Sequence, residues 1–355
     1  MKPFEHLKVV ELASVLAGPS VGLFFAELGA KVIKIENQQA GGDVTRSWKL
    51  ASEDQQHPFS AYYSSVNYGK ESWFLNLNET ADLNKVLEEI KTADLVIANF
   101  KPGDAAKLGL SFEQLKSLNP QIIYGEITGF GSENRIAYDV VLQAESGFLA
   151  MSGTPEGELC KMPVALIDLL AAHQLKEGIL LAMLQQQKEK KALKVSVSLF
   201  DAALSSLANQ ATNWLMGNHI AQPMGTLHPN IAPYGELFTC KDEKQVVLAI
   251  GSNRQFKALC ETLTLDTAFS DSRFNNNQNR VKNRIELAEL LSAQISNWNR
   301  EEIMNRFIEN NVPAGAVRKM DEVFSIPAAQ KQLLKEQKEG KDLIAVSGNA
   351  FKITP

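Results

Sequence analysis

Residues 8–36 read KVVELASVLAGPSVGLFFAELGAKVIKIE, and their pattern decides the fold. The two ends, 8–12 and 31–36, are short β-branched runs, and the apolar stretch near 20–29 between them has helical length. Two strands joined by a crossover of that size run parallel. The same alternation continues downstream. It predicts strands at 72–77, 94–99, 121–128, 163–167 and 194–199, and helices near 80–91, 111–117, 139–151, 169–187 and 200–216. Ser111 and Gln114 supply a capping box for the helix at 111–117. The charge run at 188–191 reads as a solvated turn. Such alternation is the signature of an α/β fold, a parallel sheet covered by helices.

Past Met216 the periodicity lapses. Residues 217–230 carry glycine, histidine and proline without a repeat and read as a linker. Two strand-like runs follow at 236–240 and 245–250, then amphipathic patterns at 252–263, 285–297 and 300–310, as in a smaller α+β domain. The tail from 331 is charged at first and then strand-like. The expected organisation is a large domain over 1–200, a linker over 201–230, a small α+β domain over 231–325 and a C-terminal return segment over 326–355.

The whole chain has 355 residues, with 36 Lys and Arg against 41 Asp and Glu, and a formal charge of -5. That mild acidity offers no field for capturing nucleic acid or anionic lipid, so neither is expected as a partner. No uninterrupted apolar run approaches the roughly 20 residues that span a bilayer, and the N-terminus lacks the apolar core of a signal peptide. Cys160, Cys240 and Cys260 have no CxxC spacing and are odd in number. A reducing compartment, the cytoplasm, fits them best.

Two motifs are set aside. Gly18, Ser20 and Gly22 match the GxSxG nucleophile elbow, but only 17 residues precede Gly18. Those are too few to build the upstream strands that supply a hydrolase's second oxyanion donor. The first strand is followed by Ala13 to Gly18 without GxGxxG, so no dinucleotide fingerprint is present. His6, His57, His173, His219 and His228 are scattered, which gives no metal-ligand pattern and no metal is expected.

Several segments, read in order, resemble the family III CoA-transferases, a group that includes formyl-CoA and carnitine CoA-transferases and the related α-methylacyl-CoA racemases. They are Val9 to Leu12 with Leu16-Ala17-Gly18-Pro19, Ala26 to Glu36, Gly42-Asp43 with Arg46, Asn67 to Lys70, Ala93 to Gly103, Tyr138-Asp139 with Gln143-Ala144 and Ser146-Gly147, Pro163 to Asp168, Val197 to Ala202, and His228 to Tyr234. The resemblance implies a Rossmann-like large domain with a parallel sheet, a smaller α+β domain, and a homodimer whose chains interlock like linked rings.

It also implies chemistry. Asp168 matches the family's catalytic aspartate, with Tyr138 and Asp139 beside it in the site. A carboxylate can attack an acyl-CoA thioester, become a mixed anhydride, and then take CoA as an aspartyl thioester. Between the apolar run 164–167 and the helical pattern from 169, Asp168 is expected at a strand's carboxyl end and a helix's amino end, where the helix dipole favours its charged form. CoA, as substrate thioester, is expected to meet Ser14, Val15 and Leu16, then Lys34, Glu36 and Asn37, and the segments holding Lys70, Asn99, Lys101, Lys107 and Leu108. Lys70, Lys101 and Lys107 are the expected phosphate cations.

Departures narrow the reading. Leu16 stands where formyl-type members carry glutamine, Asn37 where some carry arginine, and the second domain lacks a glycine-run lid, so a formyl or oxalyl substrate is not expected. The chain ends where longer members continue with a helix returning to the large domain, so that closure is expected to be absent. The racemase branch pairs its aspartate with a histidine in the position of Tyr138, and tyrosine is a poor base at neutral pH. The alternatives are therefore a 2-methylacyl-CoA racemase working through Asp139, or a non-catalytic acyl-CoA-binding protein.

Overall fold

The apolar runs of the first half of the chain close into one sheet of six strands, each parallel to its neighbours. The computed structural model describes residues 2–354. In chain order the elements around this sheet are β1 (Lys8–Leu12), α1 (Ala17–Glu27), β2 (Lys31–Asn37), α2 (Ala61–Ser64), β3 (Lys70–Leu75), α3 (Thr80–Lys91), β4 (Leu95–Ala98), α4 (Asp104–Lys107), α5 (Phe112–Leu118), β5 (Ile123–Thr128), α6 (Asp139–Glu145), α7 (Leu166–Glu189), β6 (Leu193–Ser198), α8 (Leu199–Ser205) and α9 (Asn209–Gly217). The strand order is β3-β2-β1-β4-β5-β6, that of a dinucleotide-type doubly wound sheet, in which the connection reverses direction between β1 and β4.

Alternation along the strands divides the core. Val9, Val32 and Ile97 face one side of the sheet, where they pack with Val21 and Phe25 of α1 and Leu175 and Ile179 of α7. Their neighbours Val10, Ile33 and Val96 face the other, against Val86 and Ile90 of α3 and Leu115 of α5. A parallel sheet needs this double cover because its crossovers lay helices on both faces.

The chain forms two compact units. The first takes the residues through Leu149, then Lys161–Ala221 and everything from Gln330 onward; the second takes Ala150–Cys160 and Gln222–Ala329. The second unit is built on β7 (Tyr234–Thr239), β8 (Gln245–Ala249), α10 (Asn253–Thr262), α11 (Asp266–Ser270), α12 (Asn277–Lys282), α13 (Arg284–Ile295), α14 (Arg300–Glu309), β9 (Ala314–Ala316), α15 (Met320–Phe324) and α16 (Pro327–Gln330). Its three strands are antiparallel, and Phe256, Leu291 and Phe307 fill its own core. The tail folds as a hairpin, β10 (Leu333–Lys338) and β11 (Lys341–Val346), which belongs to the first unit. No helix among the described residues is long and apolar enough to cross a membrane.

Several expected elements differ. No strand forms at 163–167: Pro163 has no N–H for a ladder, and α7 begins at Leu166. From Ile167 onward the buried residues fall at Ala171, Leu175, Ile179 and Ala182, a helical period that claims the end of the apolar run. The helix at 139–151 stops at Glu145, with Gly147 at φ +89 just beyond it, and the helix at 200–216 is two, parted where Ala208 takes φ +49. Within the stretch expected as linker, α8 packs Ala202 and Ala203 into the first unit's core.

Candidate active site

The site is built at the amino end of α7, which has no side-chain cap of its own. Asp139, in the first turn of α6, supplies one. Its Oδ1 accepts the Ile167 N–H at 2.6 Å and the Asp168 N–H at 3.3 Å, two of the orphan donors that open any helix. Its Oδ2 accepts from Gln143, whose own carbonyl oxygen takes the Met162 N–H at 2.9 Å. The carboxylate of Asp139 is thus committed on both oxygens to holding the helix that carries Asp168.

Asp168 is the third residue of that helix, not a residue at a strand end, and it is buried, 8% exposed. Among the described residues no group donates a hydrogen bond to its carboxylate. Burial, and then the negative charge of Asp139, push its pKa up to about 7. The helix dipole favours the charged form, but desolvation and a like-charged neighbour outweigh it here. Tyr62, which sequence reasoning did not single out, lies within electrostatic reach of Asp168, Asp139 and Asp43. Burial and those three carboxylates push its phenol up to about 12. Tyr62 belongs to the short helix α2, whose sequence Ala-Tyr-Tyr-Ser carries no recognisable motif. Tyr138 is the residue before α6 and is exposed.

A cavity of about 560 Å³ lies at the carboxyl ends of β1 to β4, across the point where the sheet's connection reverses and where ligands of such folds lie. Of the residues expected to meet CoA, Ser14, Lys34, Glu36, Asn37, Asn99, Lys101 and Leu108 line it, together with Asp43. Val15, Leu16, Lys70 and Lys107 do not. Leu16 is buried at the head of α1, and the exposed Lys107 pairs with Asp104 at 2.8 Å. Asn99 spends its amide on the chain itself, accepting the Ser14 N–H at 3.0 Å and donating to the Ser14 carbonyl at 2.8 Å.

Two lysines are committed inside the protein. Lys70, expected as a phosphate cation, has its ammonium buried, where it donates to Glu11 Oε2 at 2.7 Å, the Pro19 carbonyl at 2.8 Å and Asn67 Oδ1 at 3.3 Å. Lys34 lines the cavity, but its ammonium contacts Glu11 Oε1 at 3.0 Å, the Ala13 carbonyl at 2.8 Å and Asp43 Oδ2 at 2.9 Å. An ammonium has three donors, and both are used up. Burial lowers the Lys70 pKa to about 8, with Glu11 opposing. Burial also pulls Lys34 down, but two carboxylates, Glu11 and Asp43, hold it above the ordinary lysine value. Lys101, exposed on the cavity wall, is the expected cation that remains uncommitted among the described residues.

Comparison with known proteins bears on this arrangement. The model of CoA-transferase family III matches residues 4–354. A succinate–glutarate CoA-transferase of Agrobacterium fabrum is 35% identical over 98% of this chain and 88% of its own length. An acetyl-CoA:oxalate CoA-transferase of Acetobacter aceti is 32% identical over 99% of this chain and 89% of its own. A crystal structure of a CAIB/BAIF family protein from Brucella suis superposes with a TM-score of 0.87 at 33% identity, covering 99% of this chain and 93% of that one.

Proposed function

Because the chain belongs to CoA-transferase family III and is an enzyme of that class acting on CoA thioesters, we propose that it moves CoA from a dicarboxylic acyl-CoA to a dicarboxylic acid, with Asp168 as covalent carrier. The names of its relatives, which join succinate with glutarate and acetyl-CoA with oxalate, support the acceptor class. One observation carries the aspartyl step: a buried carboxylate at the start of a helix, with an acidic neighbour and no donor among the described residues.

In this reading Asp168 attacks the thioester carbonyl and CoA leaves as thiolate, giving a mixed anhydride. The thiolate then attacks the aspartyl carbonyl, the donor acid departs, and an aspartyl-CoA thioester remains. The acceptor carboxylate attacks that thioester and again expels the thiolate, which returns to the acceptor's carbonyl and frees Asp168. One difficult exchange becomes four acyl transfers. The surroundings favour it, since acylation turns a desolvated anion into a neutral group and relieves its repulsion with Asp139. Asp139 orients the helix, Tyr138 is positioned beside it to meet the acyl group, and the cavity over β1 to β4 receives the nucleotide of CoA with Lys101 toward a phosphate.

The working unit in this reading is an interlocked homodimer. Its support is the family resemblance and the apolar surface of α9, where Trp214, Leu215 and Met216 are exposed. A cytoplasmic setting keeps the free cysteines reduced.

The test is to incubate the protein with succinyl-CoA and trap with hydroxylamine or borohydride, then map the modification by mass spectrometry. Modification at Asp168, with CoA exchange into glutarate, supports the proposal. Exchange of the α-proton for deuterium without modification would make the protein a racemase, and neither result would make it a binder.

A further inference from the structure

At the cavity, with Lys34 and Asp43 on its wall and Glu11 and Lys70 behind them, lies a group of four charges to which the proposed reaction gives no role. Glu11 on β1, Lys34 on β2, Lys70 on β3 and Asp43 are all buried. Two ammoniums and two carboxylates make the group neutral, and Glu11 bridges the two lysines with one oxygen each. Helix α1 passes so close that a Cβ on Gly22 would stand 1.8 Å from Glu11 Oε2, so any larger residue there would displace the Glu11 carboxylate. Burying four charges is expensive, and an apolar replacement commonly serves a core as well or better. What the charges do that apolar side chains could not is bond to the backbone of one loop.

That loop, residues 13–16, joins β1 to α1 at the cavity. Lys34 donates to the Ala13 carbonyl, and Lys70 donates to the Pro19 carbonyl in the first turn of α1. Asp43 accepts the Val15 N–H at 3.2 Å, and Asn99 clamps both sides of Ser14. Between these anchors Val15 has φ +71, a conformation that a β-branched residue adopts only when its surroundings impose it.

We propose that the Glu11, Lys34, Lys70 and Asp43 quartet is a positioning device that holds the β1–α1 loop, with Val15 in its left-handed conformation, in the shape that receives the CoA thioester. The inference rests on the reading of the cavity as the CoA site. It makes Lys70 a positioning residue: it lines no part of the cavity, so any effect of its loss on CoA must travel through the loop.

The decisive variant is therefore Lys70→Met in the full-length protein. Steady-state kinetics should give a KM for acyl-CoA raised about tenfold with kcat changed by about threefold or less. Amide exchange should quicken in peptides covering 13–17 and stay unchanged over β4 and β5. Adding Val15→Gly, which holds positive φ without steric cost, should recover about threefold of the lost KM. Unchanged exchange in the loop, a loss of protection across the whole sheet, or no recovery on adding Val15→Gly would overturn the inference. Faster loop exchange with an unchanged KM would instead overturn the cavity as the CoA site. If Lys70→Met does not fold, Glu11→Gln, which likewise lies off the cavity wall and strips one charge from the quartet, is read in the same way.

Discussion

Asp168 carries a cost to the fold that its proposed part in the chemistry would account for. Its pKa, raised from an ordinary 3.8 to about 7, means the folded state binds the proton more tightly than the unfolded chain does. The contribution of this group to stability is then fullest below about pH 4 and declines as pH rises toward 7, by something on the order of a few kcal/mol. Asp168→Asn, uncharged throughout, should raise Tm clearly at pH 8 and hardly at pH 4. It should lower CoA exchange by about a thousandfold or more. Thermal scans at the two pH values check this, and an equal difference at both would show that the carboxylate's charge is not the cause. In the wild type, kcat/KM should climb through neutral pH as the proposed nucleophile ionises.

At the scale of elements, Arg46 ties β2 to the C-terminal hairpin. Its guanidinium meets Glu36 at 2.6 and 2.8 Å, lies over the rings of Tyr63 and Phe74, and reaches Glu339 at 2.9 and 3.1 Å. Burial raises the Glu36 pKa, but the bonds from Arg46 overcome it and bring it down to about 2. Its contribution is present above pH 4.5 and is lost as the pH falls toward 2. Glu36→Gln leaves a buried cation short of its partner and should cost about 3 to 5 kcal/mol in urea denaturation. Glu339→Gln, at the partly exposed end of the same group, should cost at most about 1 kcal/mol while hastening proteolysis within residues 333–346. A reversed ranking would mean that the hairpin, not the sheet, depends on Arg46. The element most readily misread, 163–167, failed for a physical reason: a five-residue apolar run fits a buried strand or a helix turn equally well. Here Asp139, 28 residues upstream of Ile167, accepts the Ile167 N–H and holds the end of the run in the first turn of α7, while residues 163–165 stay outside helix and strand.

For the whole molecule, the exposed apolar surface of α9, with Leu215 75% and Met216 87% exposed, is the kind of patch that marks an interaction site. For the proposed homodimer, Leu215→Glu should shift light-scattering mass from dimer to monomer, with loss of activity; a monomeric wild type would overturn the dimer, and a variant still dimeric would place its interface elsewhere. The sequence alone was sufficient for whatever depends on local period and residue order. The alternation of strands and helices, the capping box at Ser111, the ordered motifs of the family and the candidacy of Asp168 are all properties of neighbouring residues. Tertiary structure alone decided the rest. Lys70 meets a buried carboxylate, Asp139 caps a helix, Tyr62 comes within electrostatic reach of Asp168, and Arg46 finds Glu339 across 293 residues. A charged side chain reads the same in sequence whether water or a buried counter-ion surrounds it, and only the folded chain determines which.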